Sequence, residues 1–181
     1  MAGNRPADAV EHFLAPLRRV LSCVTPAILL VGGGYHPSTS PHALTLSEVP
    51  APLGRDGRLA LKMIQHYRIV EYPGDYGPWK VQTVAYYYAL EEAAAPYREL
   101  IAYHWHPQGH SPITYPHLHL YAGTGITHHR IPEAHFPTGR IALEQVLRLA
   151  IEHFQVQPLR SDWATVLDQA QQAFEQWRTW H

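Results

Sequence analysis

The fold is decided by residues 100–121, which read LIAYHWHPQGHSPITYPHLHLY. This stretch holds two His-X-His triplets, at 104–106 and 117–119. Side chains at positions i and i+2 of a β-strand lie on the same face, so the spacing within each triplet fits a strand. We predict an antiparallel strand pair closed by the loop 107–115, with the histidines of both triplets on one face of the pair.

The predicted register sets His104 opposite His119 and His106 opposite His117. All four imidazoles then point to the same side, and such a row suits metal binding or proton transfer better than core packing. The opposite face of the pair is apolar, and we expect it to pack into the core. Its residues are Ile101, Tyr103, Trp105, Leu118 and Leu120.

Two longer β-type segments, 58–72 and 79–90, precede this pair and are joined by the proline- and glycine-rich turn 73–78. The segment 97–106 follows after a short connection, and 116–121 comes last. Consecutive strands with short connections predict an antiparallel meander. Shorter runs compatible with strands are 27–31 and 43–49.

Apolar residues recur at helical spacing in 8–21, 141–154 and 163–177. Pro16 interrupts the first of these segments, so we expect a kink or two shorter pieces there. The sequence therefore predicts the α+β class, with an antiparallel β-sheet meander covered on one face by N- and C-terminal helices. We expect residues 1–181 to form a single α+β domain, because this length is ordinary for one hydrophobic core.

Composition limits the classes of function. Charged residues make up 16% of the chain and the formal net charge is −1, whereas proteins that grip duplex nucleic acid usually carry a basic excess. Cys23 is the only cysteine, which excludes an intramolecular disulfide and a cysteine-based zinc knuckle. No run approaches the ~18 apolar residues of a membrane span, and no secretion signal is evident. We therefore expect a cytoplasmic protein without membrane contact.

Our leading hypothesis for the histidine face is metal-free acid–base catalysis. Imidazole titrates near neutrality, so His104 and His119 can serve as the base and acid of one turnover, with His106 and His117 in support. Cleavage of RNA through its own 2′-hydroxyl needs such a pair and a cation to stabilise the charged phosphorane. Arg140 is the candidate phosphate anchor, since its planar donor fork fits phosphate. Further candidates for that cation are Arg130 and Lys80.

The same face also suits zinc, and this is the alternative hypothesis. Three neutral imidazoles and a water form a catalytic zinc site, with His104, His106, His117 and His119 as candidate ligands. The protein would then be a zinc-binding protein or a metal-dependent hydrolase. A non-catalytic partner-binding module is a third possibility, because the near-zero net charge gives no steering field for RNA. Acidic ligands would have to come from outside the triplets, and the nearest are Glu99 and Glu133.

Other polar groups near the triplets have no assigned role. Residues 135–140 lead into a helix, where free N–H groups, Thr138 and Arg140 form either an anion-binding corner or an ordinary capped loop. Residues 86–88 are three tyrosines that alternate across a strand, which favours core packing on one side and a wet face on the other. The sequence does not decide whether four further histidines belong to the site: His110, His128, His129 and His135.

Several motifs occur in a fixed order along the chain: Trp79, Thr83, Tyr86-Tyr87-Tyr88, Tyr103-His104-Trp105-His106-Pro107, Pro116-His117-Leu118-His119 and the C-terminal helix. This arrangement resembles the small TumE-type toxins, the toxic partners of prokaryotic toxin–antitoxin pairs. The resemblance covers about residues 58–155 and implies a compact sheet-plus-helix toxin that acts on RNA and is held inactive by a neighbouring antitoxin. We therefore expect a toxin-like endoribonuclease with an RNA substrate, an antitoxin protein as partner and no cofactor.

Overall fold

The computed structural model describes residues 2–72, 76–94, 96–109, 111–121 and 131–177. The candidate residues His110, His128, His129 and Arg130 lie outside the described residues. The strands are β1 (Ala2–Gly3), β2 (Leu29–Gly32), β3 (His42–Leu46), β4 (Ala51–Leu53), β5 (Leu59–Glu71), β6 (Trp79–Glu92), β7 (Arg98–Trp105), β8 (His117–Leu120) and β9 (Phe136–Pro137). The helices are α1 (Pro6–Leu21), α2 (Leu143–Glu152) and α3 (Trp163–Trp177), and a short 3₁₀ helix (Ile131–Glu133) precedes β9.

The described strands form a nine-stranded sheet whose main path runs β2-β3-β5-β6-β7-β8-β9. Its centre is the pair β5 and β6, which are 13 and 14 residues long. Each central strand is long enough to pair with two others along its outer edge: β5 with β3 and β4, and β6 with β1 and β7. All pairs are antiparallel, and β5 to β8 follow one another as the predicted meander.

The helices cover one face of this sheet. α1 packs against β6, and all three helices pack against one another. In β5 the alternation is visible residue by residue, because Met63, Gln65 and Tyr67 are buried beneath the helices while Ile64 and His66 retain solvent exposure on the other face. The α+β architecture predicted from the periodicity is therefore confirmed.

α1 runs as one helix although Pro16 lies inside it. Of the two expected outcomes, a kink or two shorter pieces, the second does not occur. A proline in a helix interior lacks the N–H of one backbone hydrogen bond and costs about 3 kcal/mol. Burial of the apolar stripe of α1 offsets this cost, since Val10 and Leu14 before the proline and Val20 after it are fully buried.

The sequence did not indicate three very short strands. β1, β4 and β9 contain two or three residues each, which is too short for a periodic pattern. β1 and β4 pair with the long central strands β6 and β5, and β9 pairs with the short strand β8. No helix within the described ranges is both long and apolar enough to span a membrane.

Candidate metal centre

β7 and β8 pair antiparallel as predicted, but in a different register. His104 lies opposite His117, and Ala102 lies opposite His119. The predicted opposition of His104 and His119 was therefore wrong by two residues, and the ladder ends before His106. A shift of two residues leaves every side chain on its original face, because the side-chain period of a strand is two.

The four triplet imidazoles form one cluster on the face of the sheet that the helices leave open. The ring centroid of His104 lies 4.7 Å from that of His119, 5.4 Å from His117 and 6.1 Å from His106. The ring of His117 lies 5.0 Å from His119 and 5.7 Å from His106. His104 and His119 are thus close neighbours along a diagonal of the ladder, although they are not directly opposite.

A fifth imidazole, that of His135, joins the cluster from the segment before β9. Its ring centroid lies 4.4 Å from His119 and 4.9 Å from His117. β9 pairs with the end strand β8, with Phe136 opposite Leu118, and this pairing carries His135 to the histidines. The sequence did not decide whether His135 belongs to the site, because a two-residue strand is too short to show a periodic pattern.

Three of these histidines lie close enough together that they could hold a metal ion. One ring nitrogen from each of His104, His117 and His119 lies within 4.8 Å of the other two. The nitrogen ligands of tetrahedral zinc lie about 3.3 Å apart, given Zn–N distances of about 2.0–2.1 Å. Binding of an ion would therefore require the rings to rotate toward one another. His106, which the sequence included among the candidate ligands, lies outside this group of three.

Two ring nitrogens of the group point to ligand roles. The Nδ1 of His117 lies 2.9 Å from the carbonyl oxygen of Tyr115. A carbonyl only accepts, so Nδ1 carries the proton and Nε2 keeps its lone pair. The Nε2 of His104 is buried and has no hydrogen-bond partner among the described residues. A metal-binding histidine commonly donates its other ring N–H to a backbone carbonyl, as His117 does to Tyr115. The buried Nε2 of His104, which has no hydrogen bond to any described residue, has a lone pair that an ion could accept.

The surroundings of His104 and His117 favour neutral imidazoles. Burial lowers the pKa of His104 to about 3, and the neighbouring imidazoles, His119 first, add to the effect. Burial also lowers the pKa of His117, against the opposing influence of the Tyr115 carbonyl. Removal of water penalises the charged form of a base. Both rings are therefore neutral at pH 7, which is the form that binds a metal.

Two carboxylates, those of Glu91 and Glu99, lie beside the histidine cluster but do not belong to it. The ring of Tyr87 packs edge-on against His104 with centroids 4.7 Å apart, and the Tyr87 hydroxyl donates a hydrogen bond to Glu99. The ammonium of Lys62 lies 3.8 Å from Glu99 and 3.9 Å from Glu91. Burial, followed by the hydrogen bond to Glu99, raises the pKa of Tyr87. The carboxylates thus support the packing of Tyr87 behind His104.

Two of the candidate cations, Arg140 and Lys80, do not join the histidines. The guanidinium of Arg140 lies 3.5 Å above the ring centroid of Trp105, on the helix-covered face of the sheet. The ammonium of Lys80 lies 4.5 Å from the ring centroid of Tyr72. The structure therefore brings together the four triplet histidines and places Arg140 on the other side of β7.

The segment before α2 has the contacts of a capped loop. The N–H of Thr138 donates to the carbonyl of Pro116 at 2.8 Å, and the N–H of Ile141 donates to the hydroxyl of Tyr86 at 2.9 Å. These donors serve the chain itself, which favours the capped-loop interpretation of residues 135–140 over the anion-binding corner.

Comparisons with protein families, curated proteins and solved structures find no match to this chain. The functional argument therefore rests on the chemistry of the site.

Proposed function

We propose that this protein is a zinc-dependent hydrolase whose ion is held by His104, His117 and His119. The observation that carries the proposal is the convergence of three imidazole nitrogens within 4.8 Å. A buried ring nitrogen without a hydrogen bond, such as the Nε2 of His104, costs free energy unless a ligand binds it. Imidazole nitrogen is a preferred ligand of zinc, so an ion at this point removes that cost.

A set of three neutral histidines suits a catalytic ion better than a structural one. Three protein ligands leave the fourth tetrahedral position open, and a zinc ion there lowers the pKa of bound water to about 7. The chain supplies the orientation: the Tyr115 carbonyl fixes the ring of His117, and Tyr87 packs against His104. His119 retains solvent exposure, so a substrate can reach this face of the sheet.

His106 and His135 flank the proposed ligands without belonging to the group of three. Both side chains are partly exposed. An imidazole can donate or accept a hydrogen bond according to its tautomer. We assign these two residues to substrate contact beside the ion, which accounts for five clustered histidines around a site that needs three.

The metal-free ribonuclease stays a prediction, as do the toxin resemblance, the RNA substrate and the antitoxin partner. Two features give it less support than zinc. A pKa of about 3 makes His104, the proposed base, a weak proton acceptor at neutral pH. Arg140, the proposed phosphate anchor, lies over Trp105 on the opposite face. A partner-binding module without catalysis is likewise a prediction.

Metal analysis of protein purified without a polyhistidine tag tests the proposal. We expect about one zinc ion per chain that survives dialysis, because three histidine ligands hold the ion together. His104→Asn, His117→Asn and His119→Asn should each release it. His66→Asn is the matched control, because His66 lies on the same open face in β5 and outside the cluster.

Zinc retention by the three ligand variants equal to that of His66→Asn would refute the proposed site. A second comparison separates the two chemistries. Cleavage of RNA in the presence of a chelator, with no cleavage of the same sequence as DNA, would favour the metal-free mechanism through the 2′-hydroxyl. His104→Ala and His119→Ala should then each lower that activity by about 10²–10⁴-fold.

A further inference from the structure

A cavity of about 120 Å³ lies on the face of the sheet opposite the histidines. It is enclosed by β5, β6 and β7 on one side and by α1, α3 and the first turn of α2 on the other. One water molecule needs about 10–15 Å³ on this measure, so the cavity has room for a ligand of about ten non-hydrogen atoms. The proposed zinc ligands are absent from the lining, as far as the described residues show.

Aromatic rings form the sheet-side wall of the cavity. Tyr86 and Tyr88 are stacked with centroids 4.9 Å apart, and the Trp105 ring lies 5.9 Å from Tyr86. Their burial on this face, with Tyr87 on the other, confirms the alternation predicted from the sequence. Phe174 and Trp177 of α3 contribute further rings to the lining. Such a wall attracts cations through ring faces as well as apolar groups.

One carboxyl group lies in the lining, which also includes the cationic side chains of Lys80 and Arg140. Glu144 stands in the first turn of α2, lines the cavity and is only 5% exposed. The hydrogen bond to its carboxyl comes from its own backbone N–H, and no ion pair reaches it within the described part of the chain. Burial raises the pKa of Glu144 to about 7, and repulsion by Glu175 adds to this. A buried carboxylate without a paired counter-charge is costly, so a cation in contact with Glu144 would be stabilised.

The positive groups of the lining do not supply that cation. The guanidinium of Arg140 is stacked over Trp105 at 3.5 Å, and the ammonium of Lys80 lies over Tyr72 at 4.5 Å. Neither forms an ion pair with Glu144 in the structure. A paired counter-charge for Glu144 would therefore have to come from a ligand.

We propose that the cavity binds a small organic ammonium ion whose charged nitrogen pairs with Glu144 and whose apolar body lies among Tyr86, Tyr88 and Trp105. The carboxylate neutralises the nitrogen, while the rings bury the hydrocarbon part and face the cation. This assignment is independent of the zinc site, because the two lie on opposite faces of the sheet.

The test compares three molecules of similar size and different charge. The probes are 2-phenylethylammonium, the uncharged 2-phenylethanol and the anionic 3-phenylpropionate. Binding is followed by titration calorimetry and by the fluorescence of Trp105 and Trp177, which line the cavity. We expect the ammonium to bind at least about tenfold more tightly than either other probe, the ratio that one favourable charge contact supplies.

Two variants locate the contact. Glu144→Gln should weaken ammonium binding at least about tenfold and leave binding of the alcohol unchanged. Glu152→Gln is the matched control, because it makes the same change on the same helix at a side chain that is exposed and paired with Arg148. His119→Asn should also leave ammonium binding unchanged, which separates this site from the zinc site.

Three results would overturn the proposal. Tighter binding of 3-phenylpropionate would make the cavity an anion site served by Arg140. Equal binding of all three probes would make it an apolar cavity without charge selection. No binding of 2-phenylethylammonium at millimolar concentration, by protein that is folded, would exclude this class of ligand.

Discussion

Burial changes the acid–base chemistry of Glu144 and His104 in opposite directions. It raises the pKa of the Glu144 carboxyl to about 7 and lowers the pKa of the His104 imidazole to about 3. The physical cause is the same, since removal of water penalises the charged form of either group. Each residue therefore lies where its neutral form is favoured and where a bound partner of the right charge would be stabilised.

Glu144→Gln should stabilise the unliganded protein at alkaline pH. The ordinary pKa of a glutamate, 4.5, applies to the unfolded chain, and the folded value is about 7. Below pH 4.5 the carboxyl is protonated in both states and carries no penalty. The penalty grows as the pH rises from 4.5 to 7 and is complete above 7. We expect a gain of about 1–3 kcal/mol in the free energy of unfolding at pH 8.

Urea denaturation at pH 4 and pH 8 measures this difference. Glu152→Gln should show no such gain at either pH, because its carboxylate is exposed. A Glu144→Gln variant that is less stable than the parent at pH 8 would mean that a cation already compensates the carboxylate.

Individual functional residues could be predicted only where the alternation of side chains along a strand places them together on one face. The triplets at 104–106 and 117–119 were recognisable because alternation in a strand places their histidines on one face. His135 and Glu144 were not recognisable in this way. His135 reaches the cluster through a two-residue strand, and the cavity around Glu144 arises from packing between elements distant in sequence.

At the scale of elements, the sequence predicts which strands form and on which face their side chains lie better than it predicts the register between strands. β5, β6, β7 and β8 all follow the segments expected from their alternation. The β7–β8 register differs from the expected one by two residues. Alternation cannot distinguish these registers, because both place the same side chains on the same faces. The loop between the two strands determines the register, and the residues of this loop show no periodic pattern.

Pro16→Ala should strengthen α1. The alanine N–H can donate to the carbonyl of His12, the hydrogen bond that the proline removes from the helix interior. We expect an increase of about 1 kcal/mol in the free energy of unfolding, which is the usual net value of one such bond. Chemical denaturation followed by circular dichroism measures it.

Pro41→Ala provides the comparison, since Pro41 lies in the loop before β3 and has no helical bond to regain. Pro16 also lines the cavity. Destabilisation by Pro16→Ala would mean that contacts of the proline ring outweigh the recovered hydrogen bond.

The whole molecule divides its chemistry between two faces of one sheet. The helices and the cavity occupy one face, and the histidine cluster occupies the other. The proposed zinc ligands come from β7 and β8, near the end of the sheet path that β9 completes. An ion there would join two strands that are otherwise held by their ladder and by apolar contacts beneath them.

Zinc should therefore raise the stability of the folded protein. Binding to the native state alone adds about 2.7 kcal/mol when free zinc is one hundred times its dissociation constant. We expect a chelator to lower the unfolding midpoint and added zinc to restore it. Calorimetric unfolding with and without chelator measures the effect.

His119→Asn should make the midpoint insensitive to zinc, while His66→Asn should respond as the parent protein does. An equal response in both variants would place the stabilising ion elsewhere. A midpoint that never responds to zinc would contradict a metal centre in this protein.

The position of β6 after α1 in the chain has a consequence for folding during synthesis. α1 and β1 precede β6 in the chain, yet they pack on β6, which ends at Glu92. A helix of 16 residues is marginal in water without a surface to cover its apolar stripe. The β5–β6 hairpin closes through local contacts and can form first. The segment that forms α1 is thus synthesised before the β5–β6 hairpin but becomes a stable helix only after that hairpin has formed.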